Sequence, residues 1–333
     1  MSERIAILGA GSWGTALSVH CARVGHDVCL WARDPALVDA MASRGENEWY
    51  LEGVGLDGVT ATGDLAVALD GASIVIVAVP SHGFRDVLRR AAPALEPSAI
   101  VVSATKGLEI ASLDRMSQVT AEVVGGHGIV VLSGPSFAKE VARGLPTAIV
   151  AASSNAAAAV RVQDSLKGPT LRLYVTDDVA GVEFGGALKN VIAIAAGVVE
   201  GLGLGHNALA ALITRGLVEI SRLACAEGAC RDTLAGLSGL GDLVLTCTGD
   251  LSRNRRVGIE LGRGRALDDI LSNMRMVAEG VRTTRAALAL GDKHSVELPI
   301  AAQVGAVLDG QVTPREAVEA LMLRRQRAET DGA

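Results

Sequence analysis

Cysteine pairs, prolines, excess positive charge and long apolar runs are all scarce in this sequence, and each scarcity closes off a class of function. The five cysteines, Cys21, Cys29, Cys225, Cys230 and Cys247, form no CxxC pair and have no histidine at zinc-ligand spacing. A disulfide scaffold and a structural zinc are therefore not expected, and a reducing compartment is. Only 9 prolines stand against 39 glycines, with 49% hydrophobic and 20% charged residues, the balance of a globular α/β chain rather than a disordered one. Lys and Arg number 31 against 37 Asp and Glu, a net charge of −6. That leaves no broad basic field for nucleic acid or anionic lipid, so an anionic substrate needs a local cluster of cations. The apolar start, 5–8, is too short for a signal-peptide core. The longest apolar run, 191–199, is closed by Lys189-Asn190 and Glu200. It is well short of a membrane span and reads as a buried helix. A cytoplasmic protein with no membrane span is expected.

At 333 residues the chain exceeds one comfortable core, and its pattern changes partway. Short β-branched runs alternate with helical stretches up to about residue 175, with strands expected at 4–8, 27–31, 74–79, 100–103, 129–133, 147–151 and 171–175. Several are continuously apolar, as strands buried on both faces require. Beyond Thr176-Asp177-Asp178 only helical spacing remains. The fold expected is α/β: a Rossmann-type, doubly wound parallel sheet over 1–177, followed by an all-α domain over 178–333.

Gly9-Ala10-Gly11-Ser12-Trp13-Gly14 matches GxGxxG. A strand leads in, a helix leads out and a second strand follows, which is the context that makes the motif a dinucleotide turn. Gly9 permits the tight turn, Gly11 lets the backbone approach a pyrophosphate and Gly14 lets helix pack on strand, with the helix N-terminus facing the phosphates. At the end of the second strand stand Arg33 and Asp34. Arg33 suits the 2′-phosphate of NADP and an acid there suits NAD, so both cofactors remain open.

Three polar clusters could carry chemistry. Ser103 to Glu109, with Lys106, leaves a strand at its carboxyl end, where ligands bind in open parallel sheets. Ser133-Gly134-Pro135-Ser136-Phe137-Ala138 is a second strand-end turn. In the helical half, Lys189 and Asn190 interrupt an apolar helix. Buried, that lysine would be a depressed-pKa proton carrier; on a polar face it would be a surface cation with its stem laid along the protein. Gly239-Leu240-Gly241-Asp242 and Thr246 precede Ser252-Arg253-Asn254-Arg255-Arg256. This cationic cluster suits a phosphate dianion or a solvated face.

Taken in order, the segments Gly9 to Ala16, Lys106 to Glu109, Ser133 to Ala138, Lys189-Asn190 and Ser252 to Arg255 closely resemble the bacterial-type NAD(P)-dependent glycerol-3-phosphate dehydrogenases. The resemblance runs from Ile5 through Val277-Ala278-Glu279-Gly280 into the helical tail. It implies reversible hydride transfer between NAD(P)H and dihydroxyacetone phosphate, giving sn-glycerol 3-phosphate for phospholipid synthesis. It also implies that Lys189 is the acid/base at the C2 oxygen, with Lys106 as substrate binder and electrostatic support and with Asp242 and Asn190 orienting the lysine and the hydroxyls. Arg253 and Asn254, aided by Gly134, Ser136 and Ser252, would bind phosphate. Ser12, Trp13, Arg33, Lys106, Ala138, Arg253, Val277 and Glu279 would contact the cofactor. No metal is expected, and a homodimer is.

Two other readings compete. A dehydrogenase of a hydroxy acid or sugar nucleotide would need a carboxylate clamp or an activated cysteine, and no cysteine here sits in an activating motif. A dinucleotide-binding regulator would not need Lys189, Asp242, Arg253 and Asn254 together.

Overall fold

A computed structural model describes residues 2–274, 277–326 and 328–329. The chain divides into two compact units, Met1–Lys106 with Asp114–Val179, and Gly107–Leu113 with Ala180–Ala333. The sequence pattern puts 107–113 in the first domain. In the structure Leu108 is buried in the helical core of the second unit and Leu113 packs against it, because an apolar side chain on a strand-end loop follows the nearest apolar core.

The first unit runs β1 (Arg4–Leu8), α1 (Ser12–Arg23), β2 (Asp27–Trp31), α2 (Pro35–Arg44), β3 (Val59–Thr62), α3 (Leu65–Leu69), β4 (Ile74–Val77), α4 (Ser81–Ala91), β5 (Ile100–Ser103), α5 (Met116–Val123), β6 (Gly128–Ser133), α6 (Ala138–Ala142), β7 (Thr147–Ala152), α7 (Ala156–Leu166) and β8 (Leu171–Thr176). Its eight strands form one sheet in the order β3-β2-β1-β4-β5-β6-β7-β8. Strand order reverses beside β1, which pairs with β2 on one side and β4 on the other. The apolar runs are continuous because both faces are covered: Ile5, Ile7, Val28, Leu30, Ile74 and Ile76 enter one core with Leu17 and Val162. The alternate residues Ala6, Leu8, Cys29, Trp31, Val75 and Val77 enter another with Phe84 and Val119. Period-two alternation thus feeds two cores from one run.

Two details differ from the sequence expectation. β3, with the sequence VTAT and partly exposed, carries too little apolar signal to be read as a strand, yet it completes an edge of the sheet on β2. The sheet is parallel through β6, but β7 pairs antiparallel to β6 and β8 follows β7 in parallel. Gly134, at φ +135°, lies against Ile149 so closely that a Cβ would sit 3.0 Å from the Ile149 Cα. Gly134 thus extends the close β6–β7 approach one position past Ser133, before the chain runs through α6 and returns as β7.

The second unit comprises α8 (Val179–Gly201), α9 (Gly205–Ala226), α10 (Arg231–Ala235), a π-turn at Leu237–Gly241, α11 (Asp242–Thr248), α12 (Arg253–Gly262), α13 (Leu267–Ser272), α14 (Glu279–His294), α15 (Pro299–Leu308) and α16 (Pro314–Met322). Helix α8 is long and apolar enough to cross a membrane by length and composition, but its apolar window is 100% buried in the protein. It is buried all round from Gly181 to Val199, the pattern of a central core helix. Backbone contact with α12 is possible because glycines face each other: a Cβ at Gly197 would collide with the Arg255 carbonyl, and one at Gly258 with the Ile194 carbonyl.

One buried acid in this unit sets a pH dependence. Glu219 on α9 is 5% exposed. Its Oε1 accepts the Ile300 N–H at 2.7 Å and its Oε2 the Ala301 N–H at 3.3 Å, capping the start of α15. Burial outweighs these bonds and the fields of Arg222 and Arg324, so its pKa is pushed up to about 7. A carboxyl whose folded pKa lies above its unfolded value stabilises the fold while protonated. That contribution is complete below about pH 4.5 and is lost as pH rises through about 7. In Glu219→Gln the difference in unfolding free energy from the parent should therefore move in the variant's favour by about 2 kcal/mol between pH 5 and pH 8. Urea melts at the two pH values measure it, and a difference that does not change with pH would show that Glu219 is ionised at neutral pH in the folded protein.

Candidate active site

In the first unit the glycine-rich turn joins β1 to α1. Gly9 adopts φ +118°, and a Cβ there would lie 2.7 Å from the Ala78 carbonyl oxygen at the end of β4. Only glycine meets both conditions. At Gly11 a Cβ would meet nothing within 4 Å, so the backbone there is open to a ligand. Helix α1 has no side-chain cap at its N-terminus. Its first-turn amides are the donors an anion takes at such an end. The buried indole Nε1–H of Trp13 has no hydrogen-bond partner in the structure. This open backbone, uncapped helix end and waiting donor fit a dinucleotide pyrophosphate. At the end of β2 the Arg33–Asp34 ambiguity narrows. Asp34 Oδ1 accepts the Ala36 N–H at 3.0 Å and caps α2, while Arg33 is exposed.

The strand-end loops of β5 and β6 meet. Lys106 Nζ donates to the Gly134 carbonyl at 2.8 Å and lies 3.4 Å from Ser136 Oγ, which itself donates to Gly134 at 2.9 Å. The Thr105 hydroxyl donates to the Val79 carbonyl at 2.7 Å and fixes the loop to the end of β4. Lys106, Gly134 and Ser136 therefore form one cluster, with Ala138 opening α6 just beyond.

In the second unit Lys189 is buried, its side chain 7% exposed, which rules out a surface lysine. Its ammonium pairs with the Asp242 carboxylate, itself 1% exposed, and donates to Thr246 Oγ1 at 2.8 Å. Thr246 in turn donates to the Asp242 carbonyl at 2.6 Å. Asp242 begins α11 directly after the π-turn, a distortion that often aims side chains at functional sites. Thr246 carried no role in the sequence reading; its spacing of four from Asp242 on one helix face was the available signal. Burial pushes the neighbouring Cys247 thiol up to about 12, so it is no nucleophile at neutral pH.

Beside this pair runs an amide relay. Asn254 Nδ2 donates to Asn190 Oδ1 at 2.8 Å, and Asn254 Oδ1 accepts the Gly280 N–H at 3.0 Å at the start of α14. Asn254 thus holds three helices together, and a phosphate could draw only on its second Nδ2 hydrogen. Ser252 Oγ accepts the Arg255 N–H at 3.2 Å and caps α12. Arg253, in the first position of α12, keeps solvent access. The surrounding protein nonetheless desolvates its guanidinium and lowers its pKa, against the pull of the Glu279 carboxylate. Arg255 is engaged by Glu200 at 2.6 Å and Asp250 at 3.1 Å. Of the cationic run, Arg255 is thus taken up by acidic neighbours, while Arg253 and Arg256 are exposed. Val277 is half-buried and Glu279 opens α14. A concavity of about 520 Å³ along β7, α7 and β8, lined by Lys167 and Arg172 among others, contains none of these residues.

Comparison with known proteins agrees with both halves. The family model described as NAD-dependent glycerol-3-phosphate dehydrogenase N-terminus matches residues 4–159, and its C-terminus counterpart matches 178–319. A glycerol-3-phosphate dehydrogenase [NAD(P)+] of Acidobacterium capsulatum is 54% identical over 98% of this chain and 100% of its own. One from a Geobacter species is 51% identical over 99% of both. The crystal structure of glycerol-3-phosphate dehydrogenase from Coxiella burnetii superposes with a TM-score of 0.94 at 42% identity, covering 97% of this chain and 99% of that one. With a glycine-rich turn after β1 in one unit and a buried Lys–Asp pair in the other, matched along nearly its whole length, the chain belongs to the NAD-dependent glycerol-3-phosphate dehydrogenase family.

Proposed function

We propose that this protein interconverts dihydroxyacetone phosphate and sn-glycerol 3-phosphate with Lys189 as its acid/base, and that it runs mainly as an NADPH-dependent reductase supplying phospholipid synthesis. The observation that carries the reading is the buried ammonium of Lys189 held by Asp242 and Thr246. Bound NAD(P)H supplies a hydride to C2 of the ketone. Negative charge then grows on the C2 oxygen, and Lys189 both stabilises it and donates the proton. The neutral amine left behind takes a proton back from solvent, which restores the ammonium for the next turnover. Thr246 accepts from Nζ while its own proton is directed to the Asp242 carbonyl, so the lysine is held in one rotamer. Arg253 supplies a fork for the substrate phosphate, with Ser252 and the remaining Asn254 hydrogen as supporting donors. Lys106, fixed on the Gly134 carbonyl, adds positive potential and binds substrate.

Arg33 reads the adenosine 2′-phosphate, a reading supported by the engagement of Asp34 as a helix cap. Five cysteines with no CxxC pair among them support a reducing, cytoplasmic location. The exposed apolar Met322 and Leu323 at the end of α16 support self-association into a homodimer. A non-catalytic dinucleotide-binding regulator would have no use for a buried, paired lysine.

Three substitutions test the parts separately. Arg33→Asp should shift the NADPH to NADH ratio of kcat/KM toward NADH, since it replaces attraction to the 2′-phosphate by repulsion. An unchanged ratio would remove Arg33 as the reader. Arg253→Ala should weaken dihydroxyacetone phosphate by about 2 to 4 kcal/mol of transition-state binding and unphosphorylated dihydroxyacetone far less. Equal losses on both ketones would assign Arg253 a structural role. Lys189→Ala should lower kcat by roughly 100-fold to 10,000-fold at saturating NADPH while NADPH affinity, followed by fluorescence, barely moves. A folded variant keeping more than about half its turnover would end the acid/base assignment and leave Lys106 as the next candidate.

A further inference from the structure

The segment between α2 and β3 is a closed loop with its own anchorage. Gly45, at φ +68°, ends α2. An antiparallel bridge joins Glu46 to Gly55, and the Leu56 N–H donates to the Gly45 carbonyl at 2.8 Å. Leu51, Val54 and Leu56 sink into the core that also receives α1. The loop is thus part of the packed unit.

From this loop Asn47, 1% exposed, reaches the glycine-rich turn. Its Nδ2 donates to the Ala10 carbonyl at 2.9 Å and to Thr15 Oγ1 at 2.8 Å, and its Oδ1 lies 3.3 Å from the Tyr50 N–H. Two residues along the turn, Ser12 Oγ donates to the Tyr50 carbonyl at 2.7 Å. Both Nδ2 hydrogens and the acceptor of Asn47 are engaged, so no other residue of that size can replace it without breaking a buried bond. The consequence for a ligand follows from peptide geometry. The Ala10 carbonyl and the Gly11 N–H belong to one planar trans unit and point in opposite directions. Holding the carbonyl on Asn47 turns the Gly11 N–H the other way, at a residue whose Cβ side is open. The bond to Thr15 fixes the first turn of α1 in the same frame.

We propose that Asn47 is a positioning residue that pre-sets the Gly9–Gly14 turn for the dinucleotide pyrophosphate, and that cofactor affinity depends on its two donated bonds. The proposal rests on reading that turn as the dinucleotide site. Without those bonds the turn must be ordered when the ligand binds, and affinity falls by that ordering cost.

Asn47→Asp keeps the size and the acceptor for Tyr50 but removes both donors and sets a carboxylate against the Ala10 carbonyl. The expected result is an NADPH dissociation constant raised about 10-fold by fluorescence titration. Amide hydrogen exchange across residues 9–15 of the unliganded protein should be faster, while kcat at saturating NADPH and the KM for dihydroxyacetone phosphate stay within about twofold of the parent. Thr15→Val removes one of the two bonds and should raise the same constant about 3-fold; it carries the test alone if Asn47→Asp does not fold. A folded variant with unchanged NADPH affinity overturns the proposal. So does one in which kcat and both affinities fall together, the mark of a general structural role. Failure of the parent protein to bind NADPH would overturn the reading of the turn, and failure to reduce dihydroxyacetone phosphate would overturn the proposed function; neither is confused with the effect of Asn47→Asp.

Discussion

A charged ammonium inside a helical core is tolerable only where a carboxylate and a further acceptor meet it. That constraint organises the second unit. Lys189 lies on the central helix α8, in a stretch buried on every side, so its partners must come from other helices at short range. Asp242 and Thr246 come from α11. Close approach is made possible by absent side chains: Gly185 receives the π-turn at the Ser238 carbonyl, Gly280 receives the Asn190 carbonyl, and Gly197 and Gly258 bring α8 against α12. Larger residues there would push the helices apart and strand a buried charge, which is far costlier than an ordinary packing defect.

The first unit solves the opposite problem. In the function proposed above it presents backbone amides to an anion, and packing and hydrogen bonds hold the backbone around them. The sheet holds Gly9 against Ala78, Asn47 holds Ala10 and Thr15, and Thr105 holds the next strand-end loop on Val79. Few of these contacts involve groups that would touch a ligand. They fix the groups that do.

Much of the fold and several site clusters were legible because their signals are local. Seven of the eight strands announced themselves as apolar runs, and the glycine turn did so through its strand–turn–helix context. β3 stayed hidden because Val59 to Thr62 is a short, half-polar edge strand with little to distinguish it from a turn. The reversed direction of β7 and β8 was equally illegible, since the apolar pattern of a strand is the same whichever way it runs. Thr246, Asn47 and the engagement of Asn254 by Gly280 escaped for another reason: a polar residue within a helix or loop gives no sign of its distant partner. Asn47 meets residues 32 and 37 positions away, and Asn254 bonds a residue 64 positions away.

The sequence by itself determined the change from alternating strands and helices to helices alone, the glycine-rich strand–turn–helix and the positions of the polar clusters, because periodicity and turn chemistry act over a few residues. Tertiary structure alone decided that Lys189 is buried and paired rather than solvated, that Asp34 caps a helix beside an exposed Arg33, and that Asn47 and Asn254 brace the elements around them. Those outcomes depend on which helices and loops come within hydrogen-bonding distance, and burial then decides which polar groups must find partners.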